Sequence, residues 1–236
     1  MPVIEPPTKL KPIEELLRTS ANIIKIGVDV DGIVANLNDE FLRLANEMFY
    51  YKNTYPDYPK KLKKELRASD ITRFDYTECT PLNNGDMKRI FEVVEKEKKL
   101  LTLKPLPDAK RVINYLTNFY DLPFATSRAN YYANAEEQTF EWFDKHKIIY
   151  SKSNFFFSNK KIELSRKLGI SRFIEDRAET ALELAENNID VLLFDYPWNN
   201  DPKQKLIQEV NNHPRIERIY NAPKSYWLNL EDKLIK

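Results

Sequence analysis

The stretch IIKIGVDVDGIVANLND, residues 23–39, decides how the rest of the chain is read. Its first half, Ile23 to Val28, is β-branched and apolar apart from Lys25 and Gly27. That is the composition of a strand covered on both faces, as in a parallel sheet packed between helices. Asp29 and Asp31 follow one residue apart, with Gly32 immediately behind them. Two carboxylates where a buried strand meets its loop need a reason.

Downstream, helical and strand-like segments alternate. Residues 37–49 carry apolar side chains at helical spacing, with Asn38 as the expected cap. Further helices are predicted at 108–119, 133–147, 160–168 and 177–188, and strands at 122–126, 153–157, 171–174 and 190–194. Such alternation predicts an α/β fold, a doubly wound, Rossmann-like parallel sheet with helices on both faces. Residues 50–104 break the pattern: they are aromatic, proline-broken and charged, and close on a helical DMKRIFEVVEKEKKL. They read as a small helical cap inserted after the first βα unit. The expected division is therefore a discontinuous core, 1–49 and 105–236, and a cap, 50–104. After Asp195 only a short strand near 216–219 and a terminal helix near 225–235 are legible.

Composition narrows the function classes. A chain of 236 residues can hold one sizeable core, or a core with a smaller insertion. With 42% hydrophobic and 31% charged residues and a net charge of +1, nothing global argues for a nucleic-acid polymer or an anionic membrane as partner. No apolar run approaches the roughly 20 residues that span a bilayer. The opening MPVIEPPTKLKPIEELL has no apolar signal core and reads as an arm leading into a short helix. A single cysteine, Cys79, excludes an internal disulfide and fits a reducing compartment, so the expected location is cytoplasmic. His146 and His213 lie far apart, Cys/His zinc motifs are absent, and any metal would be held by oxygen. GVDVDG has P-loop glycine spacing, but Ile33 and Val34 stand where a lysine and a hydroxyl residue belong. KKLKKELR, at 60–67, reads as a solvated helix face.

Open parallel sheets bind ligands beyond the carboxyl ends of their strands. On that rim the sequence places Asp29 and Asp31, then Thr126, Ser127 and Arg128, then Lys160 and Lys161, and finally Glu175, Asp176 and Arg177. Acids gathered on one rim repel each other unless a cation joins them, and without histidine or cysteine the natural choice is a hard ion such as Mg²⁺. Mg²⁺ typically takes one or two carboxylates, waters and a substrate phosphate. Lysine and hydroxyl donors suit the other phosphate oxygens. The set points to phosphoryl transfer with a carboxylate available as nucleophile.

In order, DVDGIVAN, FATSR, a lysine ahead of KLGISRFIEDR, and that last segment itself resemble the motifs of the haloacid dehalogenase (HAD) superfamily of phosphatases. Residues 23–199 are similar to its 5'(3')-deoxyribonucleotidase-type branch through ASDITRFDY, LKPLPDAKRVINYL and FIEDRAETALELAENNIDVLLFDYPWN. The resemblance implies a HAD-like core and roles for individual residues. Asp29 would attack phosphorus and carry the phosphoryl group. Asp31 would protonate the leaving oxygen and then activate water, its backbone carbonyl joining Asp29 and Asp176 around Mg²⁺. Thr126 would bond the phosphate, and Lys161, fifteen residues before Asp176, would neutralise charge, with Lys160 ranked behind it. Ser127 and Arg128 are candidate substrate contacts. Among the cap aromatics, Phe74 and Tyr76 are candidates for stacking on a base. The expected activity is phosphomonoester hydrolysis, with a nucleotide or deoxynucleotide monophosphate as substrate. A sugar phosphate, or a non-catalytic phosphate-binding role on the same fold, are the alternatives.

Overall fold

The computed structural model describes residues 23–51 and 54–235, so the expected N-terminal arm lies outside the described residues. Among them, six strands form one parallel sheet: β1 Ile26–Asp29, β2 Phe124–Thr126, β3 Phe155–Phe157, β4 Arg172–Glu175, β5 Asp190–Phe194 and β6 Ile216–Ile219. Their order is β3-β2-β1-β4-β5-β6. The chain moves outward from β1 through β2 to β3, then returns to add β4 on the other side of β1. The crevice between β1 and β4 is therefore the topological switch point, where doubly wound sheets bind ligands.

Successive strand residues face opposite layers, and the two apolar clusters divide accordingly. Ile26, Val28, Ile174, Leu192 and Phe194 join one cluster, covered by helices α3 (Ala109–Leu116), α4 (Ala135–His146) and α8 (Tyr226–Leu234). Phe173, Val191 and Leu193 join the other, covered by α5 (Lys161–Leu168), α6 (Ala178–Glu186) and α7 (Lys205–Asn212). Gly27 has a packing reason: a Cβ there would stand 2.3 Å from the Phe173 ring of the neighbouring strand. Helix α7 escaped the sequence reading because it buries only Ile207 and Val210.

The first strand is shorter than its apolar run. The amides of Val34 and Ala35 both donate to the Val30 carbonyl (2.8 and 2.9 Å), turning the chain just past Asp29. Helix α1 (Leu37–Asn46) is capped by Asn36, whose side chain accepts from the Asp39 amide at 3.2 Å. The expected cap, Asn38, is already inside the first turn. Asn36 takes the role because its non-helical backbone (φ −85°, ψ 70°) lies where the chain leaves the loop. The helix continues as a π-helical turn, Glu47–Tyr51. After several 3₁₀ turns comes α2 (Asn84–Lys96), opened by a capping box between Asn83 and Asp86.

Residues 34–36 and 104–106 run side by side as an outgoing and a return leg. Ala35 pairs with Pro105, the Asn36 amide donates to the Lys104 carbonyl (2.9 Å), and the Leu106 amide donates to the Val34 carbonyl (2.8 Å). The return leg is also held by Trp142 of α4, whose indole donates to the Leu103 carbonyl at 2.8 Å. Among the described residues no helix is long and apolar enough to cross a membrane.

Candidate active site

Asp29 ends β1 and Glu175 ends β4, so the switch point brings two carboxylates together and Asp176 adds a third. Asp29, Glu175 and Asp176 are all buried, each with a carboxylate oxygen within 4.8 Å of the others. Lys161, at the first turn of α5, reaches between them. Its Nζ donates to Asp29 Oδ1 at 2.8 Å and to Glu175 Oε1 at 2.7 Å. Glu175 Oε2 accepts the Asp176 amide at 2.8 Å, so both its oxygens hold neighbours in place.

The electrostatics follow from burial. Loss of water pushes the Asp29 carboxyl up to about 7, against the lowering effect of Lys161. Burial likewise raises Asp176, and the charges of Glu175 and Asp29 raise it further. For Lys161 burial works downward, but Asp29 and Glu175 outweigh it and hold the ammonium above its ordinary value. Three buried carboxyl groups share one cation, and a second positive charge would relieve the surplus. A hard divalent ion fits this all-oxygen donor set.

The loop after β1 is shaped around Asp176. Gly32 adopts φ +77°, and a Cβ there would lie 2.2 Å from Asp176 Oδ2. Only glycine meets both demands cheaply. The loop's carbonyls are tied down from the far side: Tyr196 Oη donates to Gly32 at 2.7 Å and the Trp227 indole to Ile33 at 2.7 Å. Behind Asp176, its own carbonyl accepts from the Trp198 indole (3.1 Å) and from Asn199 Nδ2 (2.7 Å).

Asp31 is not one of the three clustered carboxylates. Arg128 grips it with a two-pronged contact, Nε to Oδ2 at 2.9 Å and Nη2 to Oδ1 at 2.6 Å. Arg128 was expected at the substrate; instead it is 1% exposed and engages all three guanidinium nitrogens inside the protein, Nη1 donating to Thr139 Oγ1 at 3.0 Å. Thr126 is buried at the end of β2, its Oγ1 accepting the Arg128 amide at 3.3 Å, and Ser127 beside it is half-buried. Lys160 points outward to pair with Glu163, leaving Lys161 as the lysine at the carboxylates. Phe74 is 42% exposed, with the Arg177 guanidinium 4.1 Å over its ring. Tyr76 is buried, edge-on to Phe41, and helps wall a cleft of about 360 Å³ with Ile71, Tyr196 and Trp198. None of Asp29, Asp31, Lys161 and Asp176 lines that cleft.

The sequence reading missed Thr139, Trp198 and Asn199. The last two lie in DYPWN, a segment noted only as part of the resemblance; no local signal marks Thr139.

A profile of the family described as "5' nucleotidase, deoxy (Pyrimidine), cytosolic type C protein" matches residues 22–212. The chain belongs to this family. It is a 5'-nucleotidase-like phosphatase with the α/β fold of the HAD superfamily. A Clostridium acetobutylicum protein named as a nucleotidase is 26% identical over 191 residues, 80% of this chain and 89% of that one. A Bacillus subtilis protein provisionally named a nucleotidase is 25% identical over 213 residues, 89% of this chain and all of that one. Among solved structures, a HAD family hydrolase from Deinococcus radiodurans, with bound phosphate and sodium, superposes with a TM-score of 0.58. It is 9% identical, covering 91% of this chain and 96% of that one, so the likeness is one of fold. In this nucleotidase family setting, Asp29, Lys161 and Asp176 stand at the switch point of a HAD sheet.

Proposed function

We propose that the chain is a Mg²⁺-dependent phosphomonoesterase that hydrolyses a nucleoside or deoxynucleoside monophosphate through an aspartyl phosphate on Asp29. The observation that carries this reading is Lys161 Nζ bridging Asp29 and Glu175, with Asp176 alongside.

Asp29 and Asp176 are the carboxylates that would hold the ion, with the Asp31 carbonyl as a third donor. The ion would supply positive charge against the phosphoryl oxygens. Glu175, whose oxygens serve Lys161 and the Asp176 amide, is assigned to positioning Lys161. In the first half-reaction an Asp29 oxygen attacks phosphorus, the ester P–O bond breaks, and its electron pair leaves on the oxygen, which takes a proton from Asp31. In the second, Asp31 takes a proton from water, the water oxygen attacks phosphorus, and the bond to Asp29 breaks, releasing phosphate and restoring the carboxylate. Asp31 thus ends each cycle as it began. Thr126 and Lys161 fix the phosphate; most catalysis in phosphoryl transfer comes from such positioning and charge.

The nucleoside part of the proposal rests on family membership and on the exposed Phe74 ring; Tyr76 is set aside because it is buried. Residues 50–104 are assigned as the cap, and the lone free thiol Cys79 is compatible with a cytoplasmic setting.

A panel of nucleotides and sugar phosphates, assayed with Mg²⁺ and with EDTA, tests the reading. Nucleotide hydrolysis that EDTA abolishes and Asp29→Asn eliminates is the expected result, since an amide is a poor nucleophile and a weaker ligand. Borohydride reduction of the trapped acyl phosphate should mark Asp29 in the mass spectrum. Preference for sugar phosphates would move the substrate class while keeping the chemistry. Full activity of Asp29→Asn would remove the mechanism.

A further inference from the structure

We propose that Arg128 is a positioning residue for Asp31, aiming the acid-base carboxylate from behind rather than contacting substrate. The proposal rests on the reading of Asp31 as the acid-base group.

The geometry is that of a backstop. Arg128 sits just past β2, in the 3₁₀ turn Arg128–Asn130 that opens the segment before α4, and is 1% exposed. Its fork takes both oxygens of Asp31, at 2.6 and 2.9 Å. A two-pronged contact fixes the plane of a carboxylate as well as its distance, which a single ammonium does not. The fork occupies the protein side of Asp31, while the Asp31 side chain remains 24% exposed on the other. A carboxylate has about four lone-pair sites, so two remain on the exposed side, one of which can carry the proton that passes to the leaving-group oxygen and is regained from water.

Arg128 is itself held. Nη1 donates to Thr139 Oγ1, fully buried on α4, and the Arg128 amide donates to Thr126 Oγ1 at the end of β2. Without this arrangement Asp31, on a loop past the end of β1, would be free to sample several rotamers. Misplacing a reacting group by about 1 Å can cost a factor of roughly 100 in rate.

Two variants and two esters test the assignment. Arg128→Lys keeps the charge and loses the fork. Thr139→Val keeps the shape and removes the acceptor for Nη1. Both are assayed on a nucleoside monophosphate, whose alkoxide must be protonated as it leaves, and on p-nitrophenyl phosphate, whose phenolate need not be. For Arg128→Lys the expected result is a kcat loss of about 10–100-fold on the nucleotide. KM should stay within about threefold, and the single-turnover burst of p-nitrophenol should be nearly unchanged. Thr139→Val should show the same ester selectivity at smaller size, about threefold or more on the nucleotide. Because both esters share the later attack of water, the ester ratio is that of nucleotide turnover to the p-nitrophenol burst. A burst that slows as much as nucleotide turnover, or a rise in KM alone, would make Arg128 a substrate or structural contact and overturn the proposal. If thermal melts show that Arg128→Lys does not fold, Thr139→Val decides: a wild-type ester ratio overturns the proposal. A wild-type chain that releases phosphate from neither ester sinks the proposed function and this assignment with it; wild-type activity with unchanged ratios sinks only the assignment.

Discussion

Asp29 shows at a single residue how burial sets a carboxylate's behaviour. Removed from water and only partly compensated by Lys161, its carboxyl is raised from 3.8 to about 7. Between about pH 4 and 7 the folded, metal-free chain therefore favours a proton on Asp29 that the unfolded chain has released. Where the native state binds more protons, stability falls as pH rises. The affected window runs from about 4 to 7. Other carboxylates titrate there too, so the comparison that isolates Asp29 is with Asp29→Asn. In urea melts without divalent ions, the variant should gain stability relative to wild type as pH rises across that window. A difference that stays constant with pH would contradict the account.

Between residues, the loop from Val30 to Ala35 and the turn that carries Phe74 are the elements on which the site depends. Gly32→Ala should displace Asp176, because the new methyl has nowhere to go and the backbone is left-handed there. A weaker cation site, read as a higher Mg²⁺ concentration for half-maximal activity, is the expected outcome, by about tenfold or more for a lost charge-assisted contact. An unchanged Mg²⁺ requirement would mean that the loop can yield. Phe74 tests the proposed cap. Stacking of a base on an aromatic ring is worth about 1–3 kcal/mol, so Phe74→Ala should weaken nucleotide hydrolysis by roughly 5–150-fold and spare p-nitrophenyl phosphate. Equal effects on both would mean that Phe74, through Arg177, holds the cap turn to the core instead. The strand ends were legible in sequence because the acids sit where a buried apolar run stops, whereas Lys161 was preferred over Lys160 only through the spacing that the family resemblance implies. The grip of Arg128 on Asp31 was not: it joins residues 97 apart and follows from the pairing of β1 with β2, which no local pattern encodes. The cap on α1 was misplaced for a related reason, since both Asn36 and Asn38 carry the right side chain and only the backbone distinguishes them.

At the scale of the whole molecule, alternation of helix and strand was enough to predict the parallel sheet. It could not predict the strand order that makes β1 and β4 neighbours, and that order creates the site. Packing from opposite ends of the chain then secures it. The chain's three tryptophans, Trp142, Trp198 and Trp227, each give their indole N–H to a main-chain carbonyl at a different point of this framework: the return leg at Leu103, the acid Asp176, and the loop at Ile33. This distribution gives the protein three internal spectroscopic reporters. Labelled with 5-fluorotryptophan, it should yield three ¹⁹F resonances, assignable by replacing each tryptophan with phenylalanine. Titrating Mg²⁺ without substrate should move the Trp198 line most, because its hydrogen-bond acceptor belongs to the residue proposed to take the ion. A shift confined to Trp142, whose acceptor lies on the return leg, would put the ion elsewhere. The same spectrum, followed as a nucleotide is added, would separate events at the metal from motion of the return leg, in one sample and without a foreign label on the surface.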